Sequence, residues 1–176
     1  NTVAPKTKQP IVILETDSII RLTAADISIT LDKLTGLLAE VVNSKAARLS
    51  FNNGPLLING QYATTGSIIE KGEDSVTVRF NVTGTMKSLS WTIYHSGWVQ
   101  VQYAYNTNGG AYNMAGVSFS YPENYILSAS WLGKGPTRQW RNRIKGTEKS
   151  VYQNQYNNTQ TGYSPVQYPE FKGYYG

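Results

Sequence analysis

The sequence predicts an all-β sandwich, and three observations carry the prediction. Apolar residues recur at every second position over several stretches, those stretches are short and closely spaced, and turn-forming residues separate them. A chain of 176 residues with 40% hydrophobic content is long enough for one domain with a sizeable core. The expected organisation is therefore a single β-sandwich domain over residues 1–176. Residues 1–10 read as a linker with no fixed structure. Residues 150–176 read as an extended Tyr- and Asn-rich segment, because six tyrosines are costly as solvent decoration and are better laid across a sheet face.

Residues 11–14, IVIL, form the longest apolar run. That is the size of a strand and far short of the roughly 20 residues that cross a bilayer. Residues 27–31 and 37–42 read as a hairpin closed by Asp32-Lys33-Leu34-Thr35-Gly36, where Gly36 supplies a positive φ. Residues 37–48 are the one stretch that could pass for a helix. Their β-branched pair and Asn43-Ser44 argue against it. The clearest strand is 76–82, where Val76, Val78, Phe80 and Val82 alternate with Thr77, Arg79 and Asn81. Residues 89–94 and 99–105 continue it as an antiparallel meander through a tight connection at His95-Ser96-Gly97. Residues 117–120 and 125–131 add two strands around a Pro122-Glu123-Asn124 turn. No internal repeat occurs at a fixed period.

Charge is concentrated in one place. Residues 131–149, WLGKGPTRQWRNRIKGTEK, carry six basic side chains (Lys134, Arg138, Arg141, Arg143, Lys145, Lys149) against the single acid Glu148, and the whole chain has a net charge of +5. Gly133, Gly135 and Pro136 read as a structural turn inside this stretch. Proline lacks the N–H that a phosphate cradle needs, which removes the phosphate-loop reading. Three readings compete for the basic side chains. They form a solvated face that pairs with nearby carboxylates. Alternatively, Trp140 offers a flat apolar face to a sugar ring while Arg138, Arg141, Asn142 and Arg143 donate to hydroxyls or to a uronate carboxylate. In the third reading, the same groups contact phosphates and stack on bases, as the sequence pI near 9.3 allows.

The absence of cysteine excludes disulfides, thiolate nucleophiles and zinc–thiolate sites. With one histidine, His95, no metal set is assigned and no cofactor is expected. Asn81-Val82-Thr83 and Asn157-Asn158-Thr159 match the N-glycosylation acceptor pattern, one that arises often by chance. The chain begins at Asn1 with no Met or signal peptide, and Gly176 precedes any closing strand. It therefore reads as a processed product or an excised fragment, truncated at the C-terminus.

The pattern Leu31-Asp32-Lys33-Leu34-Thr35-Gly36-Leu37-Leu38, with Gly116-Val117-Ser118-Phe119-Ser120-Tyr121-Pro122-Glu123 and Trp131-Leu132-Gly133-Lys134-Gly135-Pro136, resembles the C-terminal β-supersandwich domain of glycoside hydrolase family 2 β-galactosidases. The resemblance covers roughly residues 25 to 150, and its most specific part is the Trp-Leu-Gly-Lys-Gly-Pro piece. It implies an antiparallel supersandwich, similar in fold to galactose mutarotase. In the family, an acidic, amide and aromatic triplet and an Asp-Arg pair follow the Gly-x-Gly-Pro piece. Here Arg138, Gln139, Trp140, Asn142 and Arg143 stand there, so the acids are lost and the chain reads as a divergent branch.

The resemblance further implies that catalysis belongs to two glutamates on a separate (β/α)₈ barrel. The chain is then a non-catalytic accessory domain packing on that barrel and contacting an oligo- or polysaccharide. The alternatives are a stand-alone carbohydrate-binding module and a basic nucleic-acid-binding domain. Glycoside hydrolysis needs two carboxyl groups about 5–5.5 Å or about 6.5–9.5 Å apart, and Asp32, Glu123, Glu148 and Glu170 show no such pairing in the sequence. No catalytic residue is assigned. Mutarotase chemistry is expected to be absent as well, since enzymes of that fold use a glutamate base with histidines. Family analogy places the chain in a bacterial periplasm or exterior.

Overall fold

The computed structural model describes residues 10–43, 48–49, 51–107, 109, 114–135 and 148–155. Among them the chain is all-β, its strands pair antiparallel throughout, and it divides into two compact units, up to Tyr121 and from Pro122 on.

The first unit is a β-sandwich. One sheet has seven strands: β1 (Val12–Glu15), β2 (Ile19–Ala24), β3 (Ile27–Asp32), β4 (Leu38–Asn43), β5 (Arg48–Leu49), β6 (Asn52–Ile58) and β11 (Gly116–Ser120). Its order is β1-β2-β3-β4-β6-β11, with β5 also on β4. The second sheet is a four-stranded meander, ordered β10-β9-β8-β7. Its strands are β7 (Tyr62–Lys71), β8 (Ser75–Gly84), β9 (Met86–Tyr94) and β10 (Val99–Tyr105). Alternation buries Ile20, Leu22, Ile29 and Leu31 from the first sheet against Val78, Phe80, Leu89, Trp91 and Ile93 from the second. Two inner faces that share one core define the sandwich, and each such side chain contributes about 1.5–3 kcal/mol by leaving water.

The strands expected at 27–31, 37–42, 76–82, 89–94 and 99–105 are all present within a few residues. Residues 38–43 are strand, so tertiary pairing with β3 (Ile29↔Val41) agrees with their β-branched content. The 95–97 connection is a tight turn closed by Gly97 N on Tyr94 O (2.8 Å), with Gly97 at φ 81°. Strands β2, β6 and β7 were not expected. In β2 the buried Ile20, Leu22 and Ala24 alternate with the half-buried Ile19, Arg21 and Thr23, so its signal was present and short.

The β3–β4 turn is gripped from the opposite sheet. Asp32 Oδ1 accepts from Thr35 N (2.8 Å) and Thr35 Oγ1 (2.9 Å), and Gly36 takes φ 73°. Tyr62 Oη donates to Thr35 O (2.9 Å), Thr64 Oγ1 to Leu34 O, and Trp91 Nε1 to Gly36 O (3.0 Å).

The second unit has a short 3₁₀ turn at Glu123–Tyr125, then β12 (Ser128–Gly135) paired with β13 (Glu148–Gln155). The Pro122 turn closes as expected through Tyr125 N on Pro122 O (3.1 Å). Of the segment expected to be extended from residue 150, residues 150–155 are in β13, and residues 156–176 lie outside the described residues.

Candidate functional site

The basic stretch of residues 131–149 is anchored by β12 and β13. Their register sets Trp131 opposite Tyr152, Leu132 opposite Val151, Gly133 opposite Ser150, Lys134 opposite Lys149 and Gly135 opposite Glu148. Side chains alternate between faces, so Trp131 and Tyr152 share one face. Their ring centroids lie 6.0 Å apart, and Tyr152 Oη donates to Glu148 O (2.8 Å). The other face is exposed along its whole length and reads Ser128–Gln155, Ser130–Gln153, Leu132–Val151 and Lys134–Lys149.

Gly133 and Gly135, expected in a turn, instead continue β12 up to the Gly135↔Glu148 pair. Glycine is disfavoured inside strands, and cross-strand pairing with Ser150 and Glu148 overrides that preference here. Pro136, Arg138, Trp140, Arg141, Asn142 and Arg143 lie outside the described residues.

Lys134 and Lys149 could not be paired by inspection of the sequence, since fourteen residues separate them in it. Directly opposed side chains in an antiparallel pair stand about 4.5–5.5 Å apart at Cβ, and like charges at that spacing are destabilising. An anionic group lying over the pair removes the repulsion. Lys134 and Lys149 thus set two like charges side by side at the base of the basic stretch.

The acids considered for catalysis are dispersed in role. Asp32 is committed to its own turn through Thr35 beside an open cleft of about 530 Å³ that Asn52, Asn53 and Ser120 also line. Glu123 opens the 3₁₀ turn, Glu148 pairs at the end of β13, and Glu170 lies outside the described residues. His95 sits half-buried in the β9–β10 turn, its backbone N on Asp74 O (3.1 Å). Among the described residues, no three His, Cys, Asp or Glu side chains gather as a metal set, and no helix is long and apolar enough to cross a membrane.

Sequence reasoning passed over a second surface, the outer face of the four-stranded sheet. It holds a depression of about 700 Å³ lined by Arg79, Asn81, Lys87, Ser88, Ser90 and Gln102 among others. Its signal in the sequence is the polar half of the alternation in β8, where Arg79 and Asn81 are exposed between the buried Val78 and Phe80 and the half-buried Val82.

No family model matches the chain, and no curated protein matches it. The resemblance to the β-galactosidase domain therefore rests on the residues quoted for it.

Proposed function

We propose that the chain is a non-catalytic β-sandwich domain of a glycoside hydrolase. In this reading it packs on the catalytic barrel of its parent enzyme, and its β12–β13 hairpin and basic stretch contact carbohydrate. The sandwich itself supports only the broad architecture; the supersandwich, galactose mutarotase-like assignment is part of the proposal and follows from the resemblance.

One observation carries the contact: Lys134 stands directly opposite Lys149, at the base of a stretch that also contains Arg138, Arg141 and Arg143. Guanidinium forks and paired ammonium groups suit carboxylates and ring hydroxyls, and Trp140 can stack on a sugar ring. The test is calorimetry of the purified chain against a panel of galactosides and uronates. Heat with a uronate or galactoside supports the reading, and silence across the panel removes the carbohydrate contact. Hydrolysis of an aryl galactoside by this chain alone would overturn the non-catalytic assignment.

A further inference from the structure

The outer face of the four-stranded sheet is shaped by two β-bulges. On β7, Thr64 pairs with Val82 and Gly66 with Asn81, leaving Thr65 as an extra residue. On β9, Met86 pairs with Tyr105 and Ser88 with Ala104, leaving Lys87 extra. Bulges sharpen local twist and re-aim side chains, and they recur beside functional sites. Here the second bulge exposes Lys87 and Ser88 consecutively, between the buried Met86 and Leu89.

The register also sorts tall from short side chains. Arg79 pairs with Ser90, which pairs in turn with Gln102, so a serine lies between two long polar groups. Gly66 beside Asn81, and Ser88 beside Ala104, continue the low floor. A Cβ at Gly66 would stand 3.8 Å from Asn81 Nδ2, so the amide reaches over that glycine. The resulting hollow of about 700 Å³ falls in the range of about 300–1,000 Å³ typical of ligand sites.

Its lining chemistry names the occupant. Among the described residues Arg79 and Lys87 are the charged ones in the lining, and no carboxylate joins them. Arg79 holds Glu70 through Nε (2.9 Å) yet its side chain stays 56% exposed. Lys87 Nζ, an ammonium with three donors, gives one to Gly84 O (2.8 Å). Around these cations stand the amides of Asn81 and Gln102 and the hydroxyls of Thr65, Thr83, Ser88 and Ser90. Such groups donate to and accept from hydroxyls, whereas single-stranded nucleic acid demands stacking aromatics and denser charge. Among the described residues the lining holds Tyr103 and the buried Phe80 as its aromatics.

We infer that this hollow is a second carbohydrate site, taking a carboxylate-bearing oligosaccharide. Separate carboxylates of the oligosaccharide meet Lys87, held near the β8–β9 turn by Gly84 O, and Arg79, held toward Glu70, and the ring hydroxyls meet Asn81, Ser88 and Gln102. The site belongs to the first unit.

The test titrates the full chain with a galacturonate tetrasaccharide, a neutral galactose tetrasaccharide and a short single-stranded DNA, following backbone amides by ¹H–¹⁵N NMR. The galacturonate is expected to shift the amides of Thr65, Asn81, Lys87, Ser88 and Gln102, and to bind at least about tenfold more tightly than the neutral sugar. Lys87→Gln and Gln102→Ala are each expected to weaken it about five- to tenfold, in the range of one lost charged or neutral hydrogen bond. Amides of β12 and β13, followed in the same titration, report on the hairpin separately from those of β7–β10. The inference is overturned if no glycan moves these amides, if acidic and neutral sugars bind alike, if the two variants bind as wild type, or if DNA alone produces the shifts.

Discussion

Trp91 of β9 donates its indole N–H to the carbonyl oxygen of Gly36, 3.0 Å away and the buried residue of the otherwise half-buried to exposed β3–β4 turn, and so ties one sheet of the sandwich to the other. The tryptophan also meets Phe119 edge-on, with centroids 6.4 Å apart, and a Cβ on Gly36 would lie 2.8 Å from Leu89 Cδ2. Trp91→Phe leaves that carbonyl without its buried donor and is expected to cost about 1–3 kcal/mol. Gly36→Ala combines a positive φ with a clash and is expected to cost at least about 2 kcal/mol. Urea unfolding that shows a lower midpoint at unchanged slope checks both.

Tyr62 reports on the same turn through pH. Burial raises its phenol above the usual tyrosine range, while its hydroxyl donates to Thr35 O. The unfolded chain therefore loses this proton first. Stability from Tyr62 is complete below the ordinary tyrosine value of about 10 and is lost as pH rises through the higher folded value. Tyr62→Phe is expected to lower stability by about 0.5–1.5 kcal/mol at neutral pH and to lose less than wild type on further alkaline titration. Unfolding midpoints of both proteins across that window test the sign.

Gly54 lies beneath an aromatic stack. A Cβ there would stand 2.2 Å from Phe119 Cδ1, and Phe119 is itself stacked on Phe51 at 4.8 Å. Gly54→Ala is expected to destabilise by about 1–3 kcal/mol, as overpacking does. Adding Phe119→Leu to that variant is expected to cost less than the same change made in wild type. A thermodynamic cycle measures the difference.

The Lys134–Lys149 opposition predicts stability and binding moving in opposite directions. Lys149→Glu turns a repulsive cross-strand pair into an attractive one, expected to stabilise the hairpin by about 0.2–1 kcal/mol. It is expected at the same time to weaken any acidic glycan at this surface by about fivefold or more. Thermal melts and calorimetry on one sample pair read both quantities. A variant that gains stability without losing affinity would separate the lysine pair from the contact.

Trp140→Ala and Arg143→Ala are expected to weaken glycan binding by about tenfold each while leaving the melting temperature within about 2 °C of wild type. Retention on heparin and on DNA at rising salt distinguishes the nucleic-acid alternative. A log–log slope near 0.9 per phosphate contacted would favour it.

Strand positions were legible where alternation ran long. β8, with Val76, Val78 and Phe80 buried, and β10, at Val99–Tyr105, could be read directly, because a period of two is a local property of the chain. The Asp32–Gly36 turn was equally local: an Asx-type cap and a glycine at positive φ need no distant partner. β7 was less so, since its bulge at Thr65 breaks the alternation that would have announced it. Gly133 and Gly135 look like turn residues in isolation, and only pairing with Ser150 and Glu148 makes them strand.

The sequence by itself determined the all-β class, the meander, the β3–β4 turn and the location of the basic stretch, all of them consequences of neighbours within a few residues. Tertiary structure alone decided that Lys134 faces Lys149, that Trp91 reaches Gly36, and that Arg79, Ser90 and Gln102 line up across one sheet. Register is the physical reason. It depends on which residues of separate strands share hydrogen bonds, and one extra residue in a bulge changes every partner beyond it.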